Sequence, residues 1–142
     1  MNIGENFYCS RCLKELNSEL GDEVKCTRCG YDPFDSKIDS HALEEGTTLN
    51  QMRFHIGAVR RKTKSGYIYG AFDYVKQRPV YIFEYFPDCV IELERDKLSC
   101  CNVIVPAECE DAFANGKRNL INALNNHHKI FAENNTLYVF RK

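Results

Sequence analysis

Four of the eight cysteines in this 142-residue chain are spaced to hold a metal. Cys9-Ser10-Arg11-Cys12 is followed, after thirteen intervening residues, by Cys26-Thr27-Arg28-Cys29-Gly30. A CxxC pair closes a tight knuckle that turns two sulfurs inward and aims backbone N–H groups at them. Two such knuckles can therefore build a tetrahedron of thiolates around one Zn²⁺. Gly30 eases the turn after the second knuckle. Four thiolates leave the ion with a local charge of about −2, and Arg11, Lys14, Lys25 and Arg28 are near enough in sequence to offset it. All four coordination positions are filled, so the expected zinc is structural and not catalytic. The spacing and the unleaderlike start argue against a disulfide between these cysteines.

The other reactive residues are less organised. Cys89, Cys100, Cys101 and Cys109 could form a second metal or redox site, but neighbours on a strand point opposite ways, and buried free thiols are the expectation. His127-His128 could ligate a metal or act as a base; a structural role is favoured. Arg60, Arg61, Lys62 and Lys64 form a basic cluster near Tyr67 and Tyr69 that could follow a nucleic-acid backbone, although such a run is more often a solvated loop.

The elements that must position these groups follow from periodicity and chain breakers. Residues 1–34 make a ribbon too small to fold without its metal. Residues 35–48, with Gly46 and several charges, read as a linker and lead-in. From 49 to 142 the chain reads as one α+β domain. Strands are expected over about 52–60, 66–74 and 79–86, with a weaker one at 101–105. A helix follows Pro106, carrying Phe113, Leu120, Ile121 and Leu124 at helical spacing; Gly116 could divide it, and Asn125-Asn126 ends it. The segments 129–133 and 136–141 flank Asn134-Asn135, a pair suited to the positive φ of a two-residue hairpin turn.

Val80-Tyr81-Ile82-Phe83-Glu84-Tyr85-Phe86-Pro87 resembles the third strand of bacterial serine/threonine protein kinases. Three other segments match in the same order: the lead-in Leu43-Glu44-Glu45-Gly46-Thr47-Thr48-Leu49 with Ile56-Gly57-Ala58-Val59 after it, the second strand Gly66-Tyr67-Ile68-Tyr69-Gly70-Ala71-Phe72-Asp73, and the turn Asn134-Asn135-Thr136-Leu137-Tyr138-Val139 into the fifth. Together they cover about two thirds of the chain. The resemblance implies a kinase N-terminal lobe: an antiparallel sheet of about five strands with one helix, equivalent to helix C, joined to the zinc ribbon.

It also implies a lobe that has lost its nucleotide. Phe83 stands where the family has the lysine that holds the phosphates of ATP, and Tyr81 replaces an alanine. The glycine-rich loop aligns on Arg61, Thr63 and Gly66, retaining one glycine of three. The helix C glutamate falls near Ala123 or Asn122, neither of which can form the ion pair. No His-Arg-Asp or Asp-Phe-Gly motif is present. The expectation is therefore a non-enzyme that binds no ATP, with Tyr81, Phe83 and Tyr85 sharing one strand face and filling the adenine site. The same rings also suit an ordinary core.

An exposed underside of Ile68, Tyr81, Phe83, Tyr85 and Tyr138 would be adhesive. Either the helix crosses it, or a protein partner or second copy does, and the latter is favoured. Net charge of −1 and a pI near 6.4 supply no global field for nucleic acid or membrane. With no run of eighteen apolar residues, the expectation is a cytoplasmic protein without membrane association or small-molecule substrate. The leading function is a protein-interaction or regulatory module, an inhibitor or mimic acting on a protein partner. The alternative is a zinc-ribbon protein that binds nucleic acid through Arg60, Arg61, Lys62 and Lys64.

Overall fold

The computed structural model describes residues 2–3, 6–16, 26, 28–29, 41–96, 98 and 101–142. Lys25, Gly30, Cys100 and residues 35–40 of the expected linker lie outside the described residues. Strands β1 (Asn2–Ile3), β2 (Asn6–Tyr8) and β3 (Glu15–Leu16) form a small antiparallel sheet around the first cysteine pair. The main sheet contains β4 (Thr48–Leu49), β5 (Phe54–Lys62), β6 (Gly66–Asp73) and β7 (Arg78–Tyr85). A short ribbon, β8 (Glu94–Arg95) with β9 (Val103–Ile104), is followed by a 3₁₀ turn at Ala107–Cys109 and helix α1 (Glu110–Ala123). The hairpin β10 (His128–Glu133) and β11 (Thr136–Arg141) completes the six-stranded sheet, in the order β10-β11-β7-β6-β5-β4 with antiparallel pairing throughout.

The described residues are thus α+β, mostly antiparallel sheet with one α-helix. The main sheet has one strand more than the five or so expected, because residues 41–49 do not run free. Ala42, Leu43 and Leu49 are buried in the main core, and β4 pairs with β5. The weak strand expected at 101–105 is confined to Val103–Ile104. Helix α1 passes unbroken through Gly116 because its lack of a side chain is what lets it lie against Tyr85: a Cβ at this position would land on the Tyr85 hydroxyl. Phe113, one turn earlier, packs on the same ring at 5.1 Å. Glu110 and Asp111 in the first turn favour the positive end of the helix dipole. Asn134 and Asn135 adopt φ of 53° and 60°, the left-handed pair of a type I′ hairpin turn.

The main sheet is strongly curled. Phe54 on β5 and Phe131 on β10 are four strands apart, about 19 Å on a flat sheet, yet their rings stack at 5.7 Å. Glu133 Oε1 accepts a bond from the Asn50 amide across the same gap. Strand pairing assigns the faces. Tyr67, Tyr69, Ala71, Ile82, Glu84, Tyr138 and Phe140 line the inner face, while Ile68, Gly70, Tyr81, Phe83 and Tyr85 line the outer one.

That register corrects one expectation. Tyr138 pairs with Glu84, so it points inward, fully buried, and does not share a surface with Phe83. Tyr85 does share that face, but α1 covers it and leaves it 6% exposed. The helix therefore crosses one end of the outer face, leaving Ile68 and Phe83 half-buried and Tyr81 39% exposed.

A buried polar cluster stitches the inner face. Glu84 accepts from the Tyr69 hydroxyl at 2.8 Å, from the Tyr138 hydroxyl, and from Arg95 Nη2. Arg95 also donates to the carbonyls of His41 and Cys101, tying three segments to β7. Burial first, and then the Glu84 carboxylate, push both tyrosine hydroxyls well above their ordinary range. The cysteine expectation also changes: Cys89 and Cys109 form a disulfide, linking the segment after β7 to the start of α1, while Cys101 is free. Adjacency in sequence was a poor guide because the pair is made across a loop. Among the described residues no helix is long and apolar enough to cross a membrane.

Candidate metal centre

Cys9, Cys12, Cys26 and Cys29 converge, each offering a sulfur within 4.8 Å of the others. Cys9 and Cys29 Sγ are 3.6 Å apart, and Cys12 and Cys26 Sγ 3.7 Å. A tetrahedron with metal–sulfur bonds of about 2.3 Å has edges of about 3.8 Å, so the closer pairs already have the separation that one metal ion requires. The first knuckle is closed by Leu13 N donating to Cys9 O at 2.9 Å and Cys9 N to Lys14 O at 2.8 Å, with Leu13 held at φ 66°. In the second, Arg28 N points at Cys26 Sγ, 3.4 Å away. These four residues can bind one metal ion.

The thiols are unequal. Burial pushes Cys9 up to about 12 and also raises Cys12. Burial acts upward on Cys26 too, but the N–H groups of Cys29 and Arg28 and the neighbouring thiols outweigh it and bring Cys26 down to about 7. Taking up a metal must displace protons from the raised pair, so affinity falls as pH falls.

The centre is seated on the outer face of the main sheet. The Ser10 carbonyl, at the tip of the first knuckle, accepts a 2.8 Å bond from Ala58 N on β5. It does so because Gly57 and Gly70 leave backbone bare beneath it. A Cβ on Gly57 would come within 2.7 Å of that oxygen, and one on Gly70 within 2.5 Å. Tyr81 completes the seat: its hydroxyl donates to Cys12 O at 2.6 Å and accepts from Arg60 Nη1 at 3.0 Å, with the guanidinium over its ring. The first knuckle thus packs on the main sheet through Ser10, Cys12 and Leu13. Sequence reasoning passed over this seat, although two glycines inside strands are the usual mark of a close backbone approach.

The remaining candidates are scattered. Arg61 is exposed near the end of β5, and Thr63 turns its hydroxyl back to accept from the amides of Ser65 and Gly66. Gly66 is needed where β6 meets β7, since a Cβ there would collide with the Glu84 carbonyl. Ala123 is exposed at the last position of α1. Of the basic cluster, Arg60 is held by Tyr81, and Lys62 donates to Thr63 O and Phe86 O and pairs with Asp88 at 3.5 Å. Among the described residues no bond engages the side chains of Arg61 or Lys64. His128 Nδ1 bonds Asn125 Oδ1 in the turn after α1, a structural use.

A second cluster was missed altogether. His41 places one ring nitrogen 3.2 Å from Glu92 and the other 3.0 Å from Glu94, beside a cavity of about 220 Å³ lined by His41, Lys62, Tyr67, Phe86 and Asp88. These residues come from segments about fifty positions apart, so no spacing could reveal them. No family model matches the sequence, and neither a curated protein nor a solved structure matches it.

Proposed function

We propose that this protein is a non-catalytic interaction and regulatory module in which a structural zinc ribbon is seated on a decayed kinase N-terminal lobe that no longer binds ATP. The observation that carries the reading is the first knuckle lying against Gly57, Gly70 and Tyr81. The resemblance gives the Tyr81–Phe83–Tyr85 face to the nucleotide, and on this chain a protein segment already covers part of it. Aromatic replacements were expected to fill the adenine site; the ribbon supplies a larger obstruction. The order of three strands, a helix and a hairpin whose last strand lies beside the third supports the same reading. So does the use of Gly66 in strand crossing, which leaves no bare glycine loop for phosphates. Zinc is the ion of choice because a closed four-thiolate tetrahedron of this edge length suits it.

In this reading the module acts through its surface, as an inhibitor or mimic that engages a protein partner or a second copy. Calorimetric titration of the zinc-loaded protein with Mg-ATP gives no heat of binding; micromolar affinity would refute the obstruction. Affinity capture before and after nuclease treatment then separates the two modes of action. A second reading, nucleic-acid binding, is favoured by Arg61 and Lys64, whose side chains make no bond among the described residues. It requires capture to be nuclease-sensitive and oligonucleotide affinity to fall steeply with salt.

A further inference from the structure

We infer that the metal centre is a latch: ligation by the four cysteines holds the first knuckle in the Gly57–Gly70 seat, and loss of the metal bares the part of the outer face formed by Gly57, Ala58, Gly70 and Tyr81. This rests on the metal reading of Cys9, Cys12, Cys26 and Cys29, but goes beyond it, because a metal could staple the ribbon without controlling the sheet.

The described bonds between knuckle and seat are few and depend on knuckle shape. Ser10 reaches Ala58 N only from the tip of a closed Cys9–Cys12 turn, and Tyr81 reaches Cys12 O only when that carbonyl is turned outward. A ribbon this small lacks the apolar core to hold such a turn, so the ligand bonds must do it. The main sheet has its own support: a separate core including Phe54, Ile82, Tyr138 and Phe140, whereas among the described residues Cys9, Cys12 and Cys26 cluster with Ala58 and Cys29. Opening the knuckle therefore removes the cover without removing the core. The coupling is reciprocal: whatever factor the metal contributes to docking, the seat returns to metal affinity.

Hydrogen exchange on the full chain tests this, comparing zinc-loaded protein with protein stripped by a chelator, with bound zinc counted independently. Stripping is expected to lower protection of the Ala58 amide at least tenfold while β11 amides keep theirs. Gly70→Ala is the selective variant, since the atoms nearest its new Cβ belong to Ser10 and Leu13 of the ribbon. It is expected to bind one zinc with about tenfold lower affinity and to show the exposed Ala58 amide even when loaded. Tyr81→Phe is expected to weaken zinc about fivefold, the worth of one hydrogen bond. One bound zinc with Ala58 protection indifferent to it would overturn the latch and leave the metal reading standing. Loss of β11 protection together with Ala58 would also overturn it, making the metal a staple of the whole domain. Failure to bind zinc at all would overturn both.

Discussion

Glu84→Gln should cost this domain about 3–5 kcal/mol, a large part of the stability an ordinary domain possesses. The Glu84 side chain is 0% exposed and that of its partner Arg95 1%. Glutamine preserves the shape but removes the charge, leaving the Arg95 guanidinium uncompensated in the interior. It also replaces one acceptor with an NH₂ group facing donors on every side, because Tyr69 and Tyr138 both donate to Glu84, and Tyr138 already accepts from Asn134 at 2.9 Å. The charge-assisted bond accounts for about 1.5–3 kcal/mol and the stranded cation for the rest. Urea unfolding of the zinc-loaded protein, followed by circular dichroism, should show a midpoint lower by about 2–3 M for a slope near 1.5 kcal/mol/M. Arg95→Met should be similarly costly, and the Glu84→Gln/Arg95→Met double variant should lose clearly less than the sum. A single-variant loss below about 1 kcal/mol, or full additivity, would refute the account of a desolvated, mutually dependent pair.

Alkali should unfold the protein in a defined window. Burial raises the hydroxyls of Tyr69, Tyr85 and Tyr138, so above about pH 10 the unfolded chain loses protons that the native state keeps. Stability should hold up to that point and then fall by up to about 1.4 kcal/mol per pH unit for each tyrosine; a stability profile flat through pH 11 would contradict their burial. Cys89→Ser opens a loop with a sequence separation of 20 and should lower stability by about 3 kcal/mol in the same urea assay. An unchanged midpoint would mean that the Cys89–Cys109 link constrains nothing in the unfolded chain.

Local chemistry was legible from the residues alone. The cysteines of the candidate metal centre follow from CxxC spacing, since a knuckle is a short-range turn that brings its own two sulfurs together. Asn134-Asn135 marked the last hairpin because asparagine tolerates left-handed backbone, and the strands at 66–73 and 78–85 were visible as runs of β-branched and aromatic residues. What the tertiary structure alone decided is how these pieces face one another. Tyr138 points inward because β11 pairs with β7 in a register that sets it opposite Glu84. Register shifts in β5 between Ile56 and Arg61 similarly disrupt any simple alternation there. Nothing in the spacing along the chain marks Glu84 and Arg95 as partners, and the curl of the sheet and the returning segments remove them from water. The disulfide, the His41 cluster and the seat of the metal centre share this origin. Each joins residues distant in sequence, and their meeting depends on packing, whereas side-chain type and spacing report only on neighbours along the chain.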